Sequence, residues 1–258
     1  MKKKILLVTL AIGQKYLDQY NYSFRESQEN YAKRYGYDFR VVTDFLDKDP
    51  ANHMASTITL NKILVCSQEW SKEYDMIIFV DADILISVSS PPIHKYMDYG
   101  DCIGIADDHW QPSRERSLEM SRERPDIKLA TPADCFKSCD LGNIETDYAF
   151  NTGVLVMQPK KHAEFLEKVY KKYIQNQKTH KKGYLYENYA IGYELLKNNL
   201  YKVLPNKFNA VWALTLWDNI HGVKLEDYYR ENWFIHFAGK AELNKVHSLH
   251  NNYNKLFG

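Results

Sequence analysis

The stretch "IIFVDADILI", residues 77–86, combines the pattern of a buried strand with two acidic residues. Its apolar run predicts a β-strand inside a sheet, and Asp81 and Asp83 follow where such a strand reaches the sheet edge. Two carboxylates separated by the small Ala82 can hold a hard cation, Mg²⁺ or Mn²⁺, that keeps positions open for the phosphates of a ligand. Taken alone, the motif also fits an aspartyl nucleophile or two acids that cap a turn.

The segments before this stretch alternate between two patterns. Strands are predicted for "KILLVTLAIG" and "YDFRVVTD", and amphipathic helices for "LDQYNYSFRESQENYAKRYG" and "TLNKILVCSQEWSKEY". This alternation is typical of parallel βαβ units, in which ligands bind beyond the carboxyl ends of the strands. We therefore expect an α/β protein in which the first loop, Asp81 and Asp83 lie at one edge of the sheet.

The second half of the chain continues the mixed pattern. Strands are predicted for "DCIGIAD" and "TGVLVMQ", and helices for "KHAEFLEKVYKKYIQNQ" and "ENYAIGYELLKNNL". Residues 107–146 are charged, interrupted by prolines and weakly periodic. A segment of that length without regular structure is typical of a lid or a substrate-binding insertion.

The composition indicates a globular protein that binds neither nucleic acid nor an anionic membrane. The 258 residues are 45% hydrophobic and 26% charged, which suits a single domain with a sizeable core. Lys and Arg number 34 against 33 Asp and Glu, so the net charge of +1 creates no field that attracts polyanions. The four cysteines form no CxxC pair, which argues against structural zinc and favours reduced thiols.

The N-terminal stretch "MKKKILLVTLAIGQ" fits either a short signal peptide or a first buried strand. We interpret it as a strand because the apolar run is short and no clear cleavage site follows it. No later segment contains the about 20 apolar residues that a membrane-spanning helix requires. The expected protein is soluble and cytoplasmic, and its oligomeric state is open.

Together with later motifs, these segments resemble nucleotide-sugar glycosyltransferases of the GT-A fold, in particular the retaining galactosyl-, glucosyl- and xylosyltransferases of glycosyltransferase families 8 and 34. "SFRESQENYAKRYGYDF", Lys62 and "IIFVDADILI" are similar to the donor-binding half of those enzymes. "YAFNTGVLVMQ", "YENYAIGYEL", "LPNKFNAVW" and "NWFIHFAGK" resemble their later motifs, in the same order. The resemblance implies one GT-A domain over residues 1–258, with a Rossmann-like, mostly parallel sheet flanked by helices. Residues 1–105 would form the nucleotide-binding half and residues 106–258 the acceptor and sugar-binding half.

The resemblance also implies the site residues. The metal ligands would be Asp81, Asp83 and His236, and the metal would be Mn²⁺ or Mg²⁺. The implied nucleotide-binding residues are Thr9, Ala11, Gly13, Tyr16, Lys62, Asp81, Ala82, Gly239 and Lys240. The implied residues at the reacting sugar are Asn151, Glu187 and Asn188, and the family usually has Asp-Gln at the latter pair.

The implied reaction moves a hexose from a UDP-sugar, UDP-glucose or UDP-galactose, to a glycan, glycolipid or protein acceptor with retention of configuration. The acceptor groove is expected to involve residues 107–146, Trp212, Trp217 and the C-terminal "HSLHNNYNKLFG". Three alternatives remain open: an inverting transferase, a nucleotidyltransferase, and a carbohydrate-binding protein with a degenerate site. Asp107, Asp108 and Asp147 are spare carboxylates, either surface charges or a base for an inverting reaction.

Overall fold

Two β-sheets organise the part of the chain that the structure, a computed structural model, describes: residues 3–97, 100–109, 111, 115, 118–119, 122, 131–181, 184–212 and 224–238. The strands, in chain order, are β1 (Ile5–Leu10), β2 (Asp38–Val42), β3 (Met76–Val80), β4 (Ile84–Ile86), β5 (Ile103–Asp107), β6 (Phe150–Met157), β7 (Tyr201–Leu204), β8 (Ala210–Val211) and β9 (Phe234–His236).

The larger sheet has the strand order β2-β1-β3-β6-β5-β7. Strand β1 is parallel to β2 and β3, and β5 is parallel to β7, whereas β6 runs antiparallel to β3 and β5 on its two sides. The predicted α/β fold with a mostly parallel central sheet is therefore confirmed. Because β6 is reversed, its first residues lie beside the last residues of β3 and β5.

The smaller sheet brings the end of the described chain to the acidic stretch. Its order is β4-β9-β8, and Ile84 on β4 pairs with His236 on β9. Strand β8 runs parallel to β9, so that Val211 also pairs with His236. The Phe237 amide then donates a hydrogen bond of 3.0 Å to the Asp83 carbonyl. This ladder places His236 next to the two aspartates.

Helices flank the two sheets. They are α1 (Gln14–Ser23), α2 (Arg25–Tyr35), α3 (Pro132–Lys137), α4 (Pro159–Thr179), α5 (Tyr184–Lys197) and α6 (Leu225–Glu231). The helix predicted for residues 17–36 forms as two helices, α1 and α2, because Phe24 between them leaves helical geometry and buries its ring against Phe237, with ring centroids 5.9 Å apart. Gly36 ends α2 in the left-handed conformation (φ 67°) that glycine adopts without strain.

The helix predicted for residues 59–74 forms in the 3₁₀ conformation, and its first part is buried rather than amphipathic. The segment forms two 3₁₀-helices, Thr59–Ser67 and Glu69–Ser71, and every side chain from Leu60 to Cys66 is buried. A segment enclosed between the sheet and α4 has no solvent face for a helical period to mark, so its pattern misleads. Shorter 3₁₀-helices span Pro50–Asn52, Ala55–Thr57, Ile93–Tyr96 and Asn206–Asn209.

Alternate side chains of β1 point to opposite faces of the sheet. Leu6 and Val8 belong to the cluster that α4 and α5 cover, and Ile5 and Leu7 belong to the cluster on the other face. All six residues of the strand are buried, so the strand interpretation of the N-terminal run is confirmed. Among the described residues no helix combines the length and apolar character needed to cross a membrane. The four cysteines, all of which lie within the described residues, form no disulfide with one another.

Candidate active site

The candidate site lies where β1, β3 and β5 end and β6 begins. The Asp81 amide, directly after β3, donates a hydrogen bond of 2.8 Å to the Gly153 carbonyl on β6. Ala82 and Ala11, which follow β3 and β1, belong to the same buried cluster. The prediction that the first loop and the aspartate pair share one sheet edge is therefore confirmed.

Asp81, Asp83 and His236 form a compact ligand set, and each offers one ligand atom within 4.8 Å of the others. His236 Nε2 lies 3.3 Å from Asp83 Oδ1 and 3.8 Å from Asp81 Oδ2. Two carboxylates and one imidazole suit a divalent cation such as Mn²⁺. The set fits the predicted metal ligands residue for residue.

Gly153 makes room for the imidazole. A Cβ atom at this position would lie 2.6 Å from both Cε1 and Nδ1 of His236 and 2.9 Å from Asn151 Oδ1. Such distances are far inside van der Waals contact, so any larger residue would displace the ring. Position 153, the glycine of "FNTGV" on β6, therefore requires a residue without a side chain so that the His236 ring can lie beside it.

Lys62 connects the aspartate pair to Glu187, the third carboxylate of the site. Its Nζ atom lies 2.9 Å from Asp81 Oδ1 and 2.9 Å from Glu187 Oε1. Burial by itself lowers the pKa of Lys62, but the Asp81 and Glu187 carboxylates outweigh this effect and raise the pKa above its ordinary value. Lys62 is therefore a permanently charged ammonium inside the protein.

The charges of this cluster do not cancel. Asp81, Asp83 and Glu187 are three carboxylates against the one ammonium of Lys62, which leaves a formal charge of about −2 when His236 is neutral. Burial raises the pKa of Asp81, Lys62 opposes this effect, and Asp83 adds to it. A divalent cation compensates such an excess of negative charge.

Thr152 holds the two residues predicted at the reacting sugar. Its hydroxyl contacts Glu187 Oε1 and lies 2.6 Å from Asn188 Oδ1, and its amide donates to Asn188 Oδ1 at 2.8 Å. Asn188 must therefore direct its Nδ2 group away from Thr152. Within the described part of the chain, neither Asn188 Nδ2 nor Glu187 Oε2 makes a hydrogen bond, so both are available to a ligand.

Thr152 and Asn209 are the site residues that sequence reasoning missed. Both stand inside quoted motifs, "YAFNTGVLVMQ" and "LPNKFNAVW", but neither carries a charge or a spacing that indicates a role. Both are fully buried. A buried polar side chain within a motif of the site is the signal that identifies them.

The predicted nucleotide-binding residues of the first loop differ in their placement. Thr9 and Ala11 are fully buried, Gly13 has a positive φ of 94° directly before α1, and Tyr16 is 37% exposed. Gly13 and Tyr16 are therefore the two that offer their surface to a ligand. Two further residues of the predicted nucleotide-binding set, at positions 239 and 240, lie outside the described residues.

The three spare carboxylates have different surroundings. Asp107 accepts the Ala149 amide at 3.1 Å and is buried, whereas Asp147 is exposed. Asp108 is partly exposed, but its Oδ1 atom is buried and has no hydrogen-bond partner among the residues that the structure describes. Burial raises the pKa of Asp108 to about 6, and the nearby His236 and Asn151 oppose that rise.

Trp212 does not line a groove, contrary to expectation. It is 3% exposed and packs against Tyr228, with ring centroids 5.3 Å apart, because the two-residue strand β8 runs beside the core strand β9. Trp217 and the C-terminal segment from residue 247 lie outside the described residues. Most of the segment from 110 to 130 does as well, and α3 lies in the described remainder of the predicted insertion.

Comparison with known proteins supports the architecture. No family model and no curated protein sequence matches the chain. One similar solved structure is a glycosyltransferase involved in the glycosylation of the major capsid of PBCV-1, with TM-score 0.61, 14% identity and coverage of 96% of this chain and 99% of that one. Another is the galactosyltransferase LgtC in complex with donor and acceptor sugar analogs, with TM-score 0.59, 15% identity and coverage of 94% and 95%.

These likenesses establish the fold. Both cover nearly the whole length of each chain, so the chain has the GT-A fold that the motifs predicted. Sequence identity of 14% and 15% leaves the activity to be argued from the site.

Proposed function

We propose that the protein is a metal-dependent glycosyltransferase that moves a hexose from UDP-glucose or UDP-galactose to a hydroxyl group of a glycan, glycolipid or protein acceptor, with retention. The observation that carries this proposal is the convergence of Asp81, Asp83 and His236 beyond the carboxyl end of β3, where open α/β sheets bind ligands, in a chain that shares the fold of two solved glycosyltransferases. Residues 1–105 supply the nucleotide-binding half of one domain, and residues 106–258 supply its sugar and acceptor half.

Asp81, Asp83 and His236 would hold Mn²⁺ or Mg²⁺. When bound, the cation supplies electrostatic stabilisation of the negative charge that develops on the departing diphosphate. The excess of about two negative charges in the cluster supports a divalent rather than a monovalent ion. Gly13, Tyr16, Gly239 and Lys240 are the proposed contacts of the nucleotide.

The protein's own groups position the sugar. Glu187 Oε2 accepts and Asn188 Nδ2 donates, so together they can bind hydroxyl groups of a hexose in one orientation. Lys62 binds Asp81 and Glu187 at once and thus fixes the distance between the metal ligands and the sugar-binding residues. Asn151, next to Thr152 on β6, is the third polar residue of the proposed sugar site.

An inverting reaction would require a general base for the acceptor hydroxyl. Asp108 is the candidate for that role, since it has an unpartnered buried oxygen and a pKa raised to about 6. The anomeric configuration of the first-formed product, read by proton NMR, decides between the two outcomes. With retention, Asp108→Asn is expected to keep the configuration and most of the activity.

A donor screen tests the proposal. Release of UDP or GDP from a panel of sugar nucleotides is measured with Mn²⁺ and with chelator, for the wild type, Asp83→Asn and Asp101→Asn. We expect Mn²⁺-dependent hydrolysis of a UDP-hexose that falls at least about 100-fold in Asp83→Asn. Asp101 precedes β5 at the opposite sheet edge, so Asp101→Asn should retain the wild-type rate.

Other outcomes identify the alternatives. Pyrophosphate formation from a nucleoside triphosphate and a sugar phosphate would indicate a nucleotidyltransferase. Glycan binding that needs no metal, without turnover of any donor, would indicate a carbohydrate-binding protein. Full donor hydrolysis in the presence of chelator would contradict the metal-dependent reaction.

A further inference from the structure

Asn209 joins the metal ligand His236 to Asn151. It ends the 3₁₀-helix Asn206–Asn209 and is fully buried. Its Nδ2 group donates to Asn151 Oδ1 at 2.9 Å and to the Asn151 carbonyl at 3.2 Å. Its Oδ1 atom lies 2.9 Å from Nδ1 of His236. One carboxamide therefore contacts both the predicted metal site and the predicted sugar site.

The direction of these hydrogen bonds follows from a backbone group. The Gly153 amide donates to Asn151 Oδ1 at 2.8 Å, so this atom must be the oxygen of the Asn151 side chain. Two acceptors, Asn151 Oδ1 and the Asn151 carbonyl, then face the same side of Asn209. That side must be the Nδ2 donor, because the opposite orientation would set oxygen against oxygen.

The same reasoning assigns the proton on His236. Asn209 turns its oxygen toward Nδ1 of His236, and an amide oxygen only accepts hydrogen bonds. Nδ1 must therefore carry the proton. In a neutral ring, Nε2 then presents its lone pair to the space between Asp81 and Asp83, which is the form that a metal ligand requires.

Asn209 is itself held in place. Its carbonyl accepts the Gln111 Nε2 group at 2.9 Å, and the same group donates to the Asp107 carbonyl at 3.0 Å. Phe208, the preceding residue, is fully buried in the core. These contacts fix the backbone position from which the carboxamide reaches His236 and Asn151.

We propose that Asn209 is a positioning residue that fixes the Nδ1–H tautomer and the ring orientation of His236, and so sets the affinity of the metal site. The inference rests on the proposed metal-dependent function. Removal of such a hydrogen-bond partner from a metal-bound histidine lowers metal affinity by about 10- to 100-fold. Through Asn151, the same carboxamide keeps the metal site in register with the sugar site.

Two variants separate positioning from packing. Asn209→Leu keeps the size and branching of the side chain but removes both hydrogen-bonding groups. Asn52→Leu is the matched control, since Asn52 is also buried and loses a hydrogen bond of 2.6 Å to Asp47, which is no part of the site. Both variants replace a buried carboxamide by an apolar group of similar size, and only the first touches His236.

Mn²⁺ binding without any substrate is the first measurement. Titration followed by the electron paramagnetic resonance signal of free Mn²⁺ yields the Kd of each protein. We expect the Kd of Asn209→Leu to rise about 10- to 100-fold and that of Asn52→Leu to equal the wild-type value. Equal Kd values for the wild type and Asn209→Leu would overturn the inference and leave the proposed function intact.

The ring tautomer of the metal-free wild type is the second measurement, and it does not depend on the folding of any variant. Long-range ¹H–¹⁵N NMR at a pH where the imidazole is neutral should show Nδ1–H and a bare Nε2 for His236, assigned by the loss of its signals in His236→Gln. An Nε2–H ring would overturn the inference. A wild type that binds no Mn²⁺ would overturn the inference and the metal-dependent function together.

Discussion

The ammonium of Lys62 lies 2.9 Å from Oε1 of Glu187, and both side chains are only 3% exposed. This ion pair joins the segment before β3 to the first turn of α5. Burial of both partners means that neither charge can turn to water if the other is removed. The ion pair therefore stabilises the contact between these two segments and also sets the positions of Lys62 and Glu187 in the site.

Lys62→Met should destabilise the fold, because it leaves the buried Glu187 and the partly buried Asp81 without a cation. We expect a loss of about 3 kcal/mol or more in the free energy of unfolding, measured by urea denaturation. Lys62→Met combined with Glu187→Gln should recover part of the loss. The matched control is Lys161→Met, which breaks an exposed ion pair with Asp101 and should leave the urea midpoint nearly unchanged. Equal losses in both lysine variants would contradict the prediction.

Gly153→Ala should weaken metal binding without unfolding the protein. The added methyl group would lie 2.6 Å from the ring of His236, so the imidazole must move away from Asp81 and Asp83. A Mn²⁺ titration should show at least about a 10-fold rise in Kd. Gly100→Ala is the control, since a Cβ there meets no atom within 4 Å. If Gly153→Ala bound Mn²⁺ as tightly as the wild type, the added methyl group would not displace the His236 ring, and the prediction would be wrong.

Thr152→Val should lower activity with little change in shape. The variant removes the hydroxyl shared by Glu187 and Asn188, so both side chains lose the contact that sets their orientation. We expect kcat/KM for the donor to fall about 10- to 100-fold, with a loss of about 1–2 kcal/mol in the free energy of unfolding. Thr152→Ser keeps the hydroxyl and should recover most of the activity. Equal activity of the Val and Ser variants would argue against the positioning role.

Asp108 should make stability depend on pH. Its pKa is raised to about 6 in the folded protein from 3.8, so between these values the folded state keeps a proton that the unfolded chain releases. Ionisation of Asp108 thus costs no free energy of unfolding below about pH 4, and the cost grows as pH rises through 6. Asparagine cannot ionise, so the free energy of unfolding of Asp108→Asn minus that of the wild type should increase by about 2 kcal/mol from pH 4.5 to pH 7.5. A difference that does not change with pH would contradict this prediction.

Sequence patterns located the buried strands β1 and β3 and the long helices α4 and α5, but not the type of the helix at residues 59–67 or the break at Phe24. The apolar runs of β1 and β3 are buried along their whole length, so hydrophobicity alone identifies them. The segment from Thr59 to Ser67 also contains an apolar run, residues 63–66, but it forms a 3₁₀-helix whose middle is buried. Periodicity distinguishes helix types only when part of the segment faces water. The break at Phe24 likewise depends on a distant contact, with Phe237.

Some features of the fold and the candidate site could be predicted from local sequence motifs, and others depend on contacts between distant segments. The sequence alone was sufficient for the aspartate pair after a buried strand, for the α/β alternation, and for the order of motifs that resembles GT-A enzymes, because each is a local pattern or a linear order.

Only the tertiary structure decided which groups meet. The β4–β9 ladder brings His236 to Asp83, the reversed strand β6 brings Gly153 to His236, and Asn209 becomes a partner of both His236 and Asn151. These contacts join segments far apart in the chain, and hydrogen-bond direction and charge balance exist only once those segments are packed together.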